Sequence, residues 1–362
     1  MVAFLLSVLA AVLVHFVAVR PLLRNTSLPN TARRARSLAV AVGVGYGVLG
    51  RLVFGFSYAK WPLLLPDWLW PPLAIMSISF LFLVPLVVGF LDQVARNEVS
   101  WRSNLWLRAF LSPMVPVLLM LALMSLLSIE GILCIVMAAP IFLLVAGVGG
   151  LIGMAVQVRM KRKSRPGVVS LMLFLPYLAT PVEDRLTTPS ETREVRNRLR
   201  IDAPPEAVWN EIKSVRAIER AELPFRVAHL IGLPRPIQAT LSHEGIGGVR
   251  IATFERGLQF RETVTLWQPG HRLSFAIHSE PSPPDALDEH VAVGGAYFDV
   301  TDGSYELEAA SDGSTMLTLT SHQRLTTRFN PYARLWSDFI MSDLQSAILE
   351  VVRARAERAT VH

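Results

Sequence analysis

Ile201-Asp202-Ala203-Pro204-Pro205-Glu206-Ala207-Val208-Trp209 reads as a strand running into a helix, and the organisation of the C-terminal half follows from that junction. Upstream, from about position 193, Val195, Asn197, Leu199 and Ile201 alternate with charged residues, the period of a half-buried strand. Downstream, Asp202 stands as a capping acid, the prolines set the first turn, and Val208, Trp209 and Ile212 form one apolar helix face. A second short helical segment is expected over 215–222.

A meander follows. Residues 237–243 and 249–255 flank Gly245-Ile246-Gly247-Gly248, Arg256-Gly257 leads into 258–267, and Gln268-Pro269-Gly270-His271 leads into 272–278. After a loop, 304–309 and 315–322 are joined through Ser311-Asp312-Gly313. Strands at this spacing with such turns predict an antiparallel sheet. Leu335, Phe339, Ile340, Leu344, Ile348 and Val351 then recur at helical period, predicting a long amphipathic helix over 331–358. A curved sheet closing on one long helix encloses a concave apolar space, the usual form of a small-molecule site.

Three stretches carry a family likeness: 201–209, Phe260-Arg261-Glu262-Thr263-Val264-Thr265-Leu266-Trp267-Gln268-Pro269-Gly270-His271-Arg272-Leu273, and Gly313-Ser314-Thr315-Met316-Leu317-Thr318-Leu319. They resemble the SRPBCC superfamily, the START-like helix-grip domains that include polyketide cyclase/dehydrase-like proteins. The resemblance covers about residues 192–358 and implies an α+β helix-grip fold that binds a lipid or other hydrophobic molecule. Only some members of that superfamily are enzymes, so fold analogy does not choose a chemistry.

The rest of the chain is a different object. With 52% hydrophobic and 18% charged residues and a mean hydropathy of +0.41, the protein is too apolar for an ordinary soluble one. Residues 1–182 carry 15 Lys/Arg against 4 Asp/Glu, a net +11; residues 183–362 carry 20 against 25, a net −5. The basic pI of about 9.8 is therefore no footprint for nucleic acid, which needs a clustered basic face on a folded domain. A spanning helix needs about 20 mostly apolar residues. Stretches 2–19, 38–58, 72–91, 109–129 and 132–158 qualify, and 168–182, with Pro176 and Pro181, either spans or lies in the interface. The first has no basic n-region or small-residue cleavage site, so it reads as a retained helix rather than a signal peptide. The expected organisation is an all-α transmembrane bundle of five or six spans over 1–182, a linker at 183–191, and the helix-grip domain at 192–358.

Basic residues alternate between loops: Arg20, Arg24, Arg33, Arg34 and Arg36, then only Lys60, then Arg96, Arg102 and Arg108, none near Glu130, then Arg159, Lys161, Arg162, Lys163 and Arg165. Basic loops stay cytoplasmic, which predicts an external N-terminus in the cell's inner or plasma membrane. The C-terminal half is then extracytoplasmic if 168–182 crosses and cytoplasmic if it does not. Trp61, Trp68 and Trp70, among prolines, read as an interface belt. Ala39, Gly43, Gly47 and Arg51 share one helix face, and Gly147, Gly149, Gly150 and Gly153, with Ala146, form another packing face. Such faces pack helices within a bundle and could also pair copies of the chain. Gly45-Tyr46-Gly47-Val48-Leu49-Gly50 matches the dinucleotide pattern, but inside an apolar helix it lacks the strand–turn–helix setting. Arg51 needs a partner or must snorkel, and Glu130 is the nearest acidic residue.

Within the helix-grip domain, alternation along 258–267 puts Phe260, Glu262, Val264 and Leu266 on one face. Glu262 there needs a partner, and Arg250 on the neighbouring strand stands at the right distance. As structure this is a buried ion pair; as function Glu262 is a polar anchor or a general base raised by burial. Glu262, His278 and His322 are the catalytic candidates. Arg250, Phe260, Glu262, Tyr297, Tyr305 and Trp336 are the ligand-binding candidates. Residues 294–303, with Tyr297 and Tyr305 about Asp299 and Asp302, form either a ligand-gripping loop or an ordinary polar turn. The acidic, proline-rich 280–289 reads as a lid or an exposed connector. The single Cys134 excludes an intrachain disulfide, and the scattered histidines show no metal spacing, so neither metal nor cofactor is expected. The expected partners are membrane lipids or a hydrophobic small molecule. A cyclase or dehydratase on a polyketide-like substrate needs Glu262 and a histidine to converge, and a sensor or assembly module needs neither.

Overall fold

Among the described residues, the first half of the chain is mostly helical. The computed structural model describes residues 32–56, 76–96, 104–160, 165–280, 287 and 291–360. Its first unit, ending at Thr187, contains α1 (Ala32–Phe56), a π-helical turn (Ser79–Leu83) leading into α2 (Val84–Arg96), α3 (Leu105–Leu111), α4 (Met114–Leu126), α5 (Ile132–Arg159) and α6 (Arg165–Glu183). Five helical stretches, Arg36–Phe54, Ser79–Arg96, Leu105–Leu126, Ile132–Arg159 and Pro166–Glu183, are long and apolar enough to cross a membrane. The last makes 168–182 part of one helix of sufficient length despite its two prolines. The stretch read as uninterrupted over 109–129 is parted into α3 and α4 at Ser112-Pro113. Pro113 has no N–H to give to the Ala109 carbonyl, which accounts for the break, while Ser112 keeps helical dihedrals. The expected span 2–19 and the tryptophan loop lie outside the described residues, as does nearly all of the acidic loop 280–289.

Several buried or half-buried polar groups in this unit find partners within it. Arg51 Nε donates to Glu130 Oε1, and its Nη2 donates to the Ile129 carbonyl at 3.3 Å, so the pair anticipated from sequence forms. Asp92, fully buried, accepts from Arg96 Nε at 2.7 Å and from Ser112 Oγ at 3.0 Å. Glu183 receives the backbone N–H groups of Ile78 and Ser79 at 2.6 and 2.9 Å, satisfying donors at the start of the π turn. The glycine faces pack inside the unit. A side chain on Gly89 would overlap the Ala146 carbonyl, and one on Gly149 the Leu86 carbonyl, so α2 and α5 meet backbone to backbone. Gly43 and Gly47 face Pro116 and Met120 of α4. The dinucleotide-like glycines sit within α1, as their apolar context requires.

The second unit, Thr188–His362, contains β1 (Ser190–Ile201), α7 (Pro205–Lys213), a 3-10 turn (Arg220–Glu222), α8 (Val227–Leu230), β2 (Pro236–Leu241), β3 (Val249–Phe254), β4 (Gln259–Gln268), β5 (Arg272–Ser279), β6 (Phe298–Ala309), β7 (Thr315–Thr326) and α9 (Asn330–Thr360). The seven strands form one antiparallel sheet in the order β1-β7-β6-β5-β4-β3-β2. The long helix packs against β1, β7 and α7. This is the expected helix-grip arrangement. Its core joins Val208, Trp209 and Ile212 of α7 to Leu273, Leu317 and Leu349.

Several local expectations change. No helix forms over 215–222 as a whole: Val215 exchanges both backbone bonds with Ala239 at 2.8 Å, and the Ile218 N–H bonds to the Ile237 carbonyl at 2.7 Å, so this stretch extends the sheet edge before the turn at Arg220. The helix after β1 is capped at Pro204 without a side-chain cap; the Asp202 N–H instead bonds to Glu357 Oε1 at 3.0 Å. A bulge between Val264 and Leu266 reverses the alternation, so Trp267, not Leu266, joins the core and meets the Trp209 ring edge-on at 5.0 Å. Residues 298–303 are strand rather than loop. The apolar stripe expected for the last helix is only partly its buried side. Ala333, Ser337, Gln345, Ala347, Leu349, Val351, Val352 and Ala356 are buried, so Val351 of that stripe is packed, while Leu335 remains 63% exposed and Phe339 44%. Polar residues take the inner side because β1 and β7 present Asn197, Ser321 and Gln323 there: Gln345 donates to Ser321 Oγ at 2.6 Å and to the Val195 carbonyl at 3.2 Å, and Asn197 donates to Gln345 at 2.9 Å.

Candidate functional site

Arg250 and Glu262 are direct partners across β3 and β4, 4% and 6% exposed. Arg250 Nη1 donates to Glu262 Oε2. The arginine Cζ stands 5.5 Å from the centre of the Phe275 ring, a cation–π contact inside the domain. Tyr305, also buried, adjoins the pair. Glycine at 303 makes this possible, because a Cβ there would come within 2.7 Å of the Phe275 ring. Burial pushes the Glu262 carboxyl above its ordinary value, with Arg250 opposing. Burial likewise raises the Tyr305 hydroxyl. Arg250 Nε is a buried donor with no hydrogen-bond partner.

Of the other sequence candidates, Phe260 joins a satellite cluster, with its ring edge-on to Phe254 at 5.3 Å beside Val215 and Ala239. Tyr297 precedes β6 and its carbonyl accepts from the Thr326 N–H at 2.8 Å. Trp336 meets Phe339 at 6.5 Å on the first half of α9. Neither histidine joins Glu262. His278 alternates to the outer face, exposed beside Arg261. His322 lies on the outer side of β7, with Nδ1 2.6 Å from Asp302 Oδ1 and Nε2 3.6 Å from Glu194, contacts that raise its pKa. A bulge between Val300 and Asp302 turns that aspartate outward. The acid–base pair needed for cyclase chemistry therefore does not assemble from these residues.

Two groupings went unread in the sequence. Arg355, from the buried side of α9, donates Nε and Nη2 to the two oxygens of Glu222 at 3.0 and 2.6 Å, and Nη1 and Nη2 to the carbonyls of Arg216 and Ala217 at 3.1 and 2.8 Å. It ties the last helix to segment 216–222. A lone arginine in the last turns of a charged helix end gives no periodic signal, since charge alone reads as a solvated face. Arg355 holds Glu222 down to about 2, against an ordinary 4.5. A carboxylate lowered in the folded state adds stability that is complete above about pH 4.5 and lost as pH falls through about 2. Exchange protection of the 216–222 amides in the full chain, relative to that of β7, is accordingly expected to drop between those limits. Glu222→Gln should show the low-pH behaviour already at pH 6, and equal protection for both proteins at pH 6 would refute the assignment.

The second grouping is a cavity of about 240 Å³ around α8. Leu223, Pro224, Phe225 and Leu230 supply its apolar lining, and Arg220, Arg226, Arg235 and His229 its basic one. Among the described residues, no group of three or more His, Cys, Asp or Glu could hold a metal ion.

No protein-family model matches the chain, and no curated protein matches it in sequence. Among solved structures, the second unit is similar to a truncated norcoclaurine synthase from Thalictrum flavum (10% identity, 49% of this chain and 98% of that one, TM-score 0.31). It is also similar to the Zhui aromatase/cyclase from Streptomyces sp. R1128 (16% identity, 47% and 96%, TM-score 0.31) and to a protein from Thermus thermophilus (18% identity, 46% and 99%, TM-score 0.31). The helix-grip assignment rests on strand order, register and the position of α9, not on these likenesses.

Proposed function

We propose that this chain is an integral membrane protein whose C-terminal unit, of SRPBCC type, binds a lipid or other hydrophobic small molecule at the bilayer. The five helices of sufficient length and apolarity support the membrane placement. Six residues, 184–189, separate α6 from β1, so a membrane-held α6 keeps the domain and bilayer-dissolved ligand at high mutual concentration. The observation that carries the binding reading is the buried Arg250 Nε beside Phe275, which has no hydrogen-bond partner even though the Tyr305 side chain also interacts with the guanidinium. A buried donor without an acceptor costs about 1–3 kcal/mol, and a ligand oxygen would relieve it. An enzymatic role finds no such support, because Glu262 is engaged by Arg250 and both histidines lie elsewhere.

The test is lipid extraction of the full-length protein, purified in mild detergent, followed by mass spectrometry. A lipophile bearing an acceptor oxygen is expected at least five-fold enriched over the bulk membrane profile. The double variant R250M/E262L, which removes the donor without stranding its partner, should lose that enrichment. Profiles identical in the two proteins would end the proposal.

A further inference from the structure

The cavity around α8 lies apart from the Arg250 pair and is built from a different part of the chain. We infer that it binds an anionic amphiphile: an acidic head bearing a hydroxyl, with an apolar chain. The inference shares with the reading above the premise that this unit works beside a bilayer, and each can fail without the other.

Charge gives the first argument. Arg226 is ion-paired to the helix behind it, its Nη2 2.7 Å from Glu350 and its Nε 3.9 Å from Asp343, although neither nitrogen makes a hydrogen bond. Asp343 also receives the Ala228 N–H at 2.8 Å, so α8 is pinned in place. Arg220 and Arg235, by contrast, share a single carboxylate, Glu255, at 3.3 and 3.6 Å. Two guanidinium groups on one carboxylate give a local excess of positive charge at the rim, set against the two carboxylates that face Arg226 at the back, so the lining is polarised rather than net positive. Guanidinium pairs bind phosphate and carboxylate through paired N–H donors, so the complement is an acidic head.

His229 gives the second. Its Nδ1 lies 3.3 Å from the Leu233 carbonyl, which can only accept, so the ring proton belongs on Nδ1. Nε2 then carries a lone pair, and this atom is buried without a partner. In the uncharged ring, which burial favours, Nε2 accepts a hydrogen bond, and a hydroxyl on the head supplies it. The third argument is apolar. Phe225 is 77% exposed and Leu230 66%, so two large side chains of the lining lie open to solvent. An acyl chain leaving the head across them would cover that area, and interfacial binding strength grows with buried apolar area and with attraction to anionic lipid. The cavity's volume suits a head group and not a whole lipid, since pockets that enclose drug-sized ligands run to about 300–1,000 Å³.

Full-length protein in phosphatidylcholine nanodiscs tests this. Diazirine-tailed probes are added separately: phosphatidylglycerol, phosphatidylcholine and a free fatty acid. After photolysis, labelled peptides are mapped by mass spectrometry. The phosphatidylglycerol probe is expected to label residues 223–230 at least ten-fold more than the phosphatidylcholine probe. R220Q/R235Q should bring it to the phosphatidylcholine level. Labelling by phosphatidylglycerol alone upholds the site and assigns a lipid head with a hydroxyl; equal labelling by the fatty acid overturns the hydroxyl-bearing head and the His229 argument with it. Equal labelling by phosphatidylcholine, or labelling unchanged in R220Q/R235Q, overturns the inference. Labelling confined to 249–279 overturns it too, while leaving the Arg250 reading standing.

Discussion

Replacing Glu262 by Leu, or Arg250 by Met, is expected to destabilise the sheet unit by about 3–5 kcal/mol, whereas the double variant R250M/E262L recovers most of that loss. Each single change leaves a charge buried on the inner side of β3 and β4, where the pair is 4% and 6% exposed. The double change removes both desolvation penalties and adds apolar volume beside Phe275. Native-state exchange of the β3 and β4 amides in the full chain reads the effect directly. About 3 kcal/mol appears as roughly a 100-fold acceleration, since each 1.4 kcal/mol is tenfold. Singles that lose less than about 1 kcal/mol, or a double variant whose loss equals the sum of the singles, would show that the two side chains are not coupled. The same coupling bears on chemistry: a carboxylate bonded to a buried guanidinium is poorly placed to take a proton from a substrate.

Period-2 alternation located the Arg250–Glu262 pair because cross-strand register carries through a short turn at Arg256-Gly257, and that turn is where the structure has it. Alternation failed further along the same strand, at Leu266, because a bulge adds a residue that no local composition announces. The pairing of Arg51 with Glu130, 79 positions apart, was legible for a different reason: apolar surroundings leave few acidic residues to choose from. The last helix misled. Its apolar residues at 335 and 339 stay exposed although Val351 of the same stripe is buried, since the facing strands offer Asn197, Ser321 and Gln323 and the helix answers with Gln345. Hydrophobic periodicity finds an apolar face, and here the packed face is partly polar. The α8 cavity was invisible for a further reason. It gathers a turn, a four-residue helix and the approach to β2, elements too short to carry a period at all.

Gly89→Ala and Gly149→Ala are expected to destabilise the helical unit, whereas Gly45→Ala should leave it unchanged or stabilise it by up to about 1 kcal/mol. All three substitutions make the same gain in helix propensity, so any difference in sign comes from packing. At Gly45 nothing lies within 4 Å of the added carbon. At Gly89 and Gly149 the added carbon would overlap the carbonyl oxygens of Ala146 and Leu86, and a backbone carbonyl in a helix cannot swing aside as a side chain can. The helices α2 and α5 must therefore separate, breaking reciprocal contacts together, and the loss belongs at or above the top of the range of about 1–3 kcal/mol typical of overpacking. Gly47 is the intermediate case, because the clash there is with the sulfur of Met120, the far part of a flexible side chain. Thermal inactivation of the detergent-solubilised protein, followed as loss of the monodisperse peak on size exclusion, should rank Gly45→Ala first, Gly47→Ala next and Gly89→Ala with Gly149→Ala last. A bundle in which all four behave alike would mean that helix propensity governs this unit and that the close crossing of α2 and α5 does not hold it together.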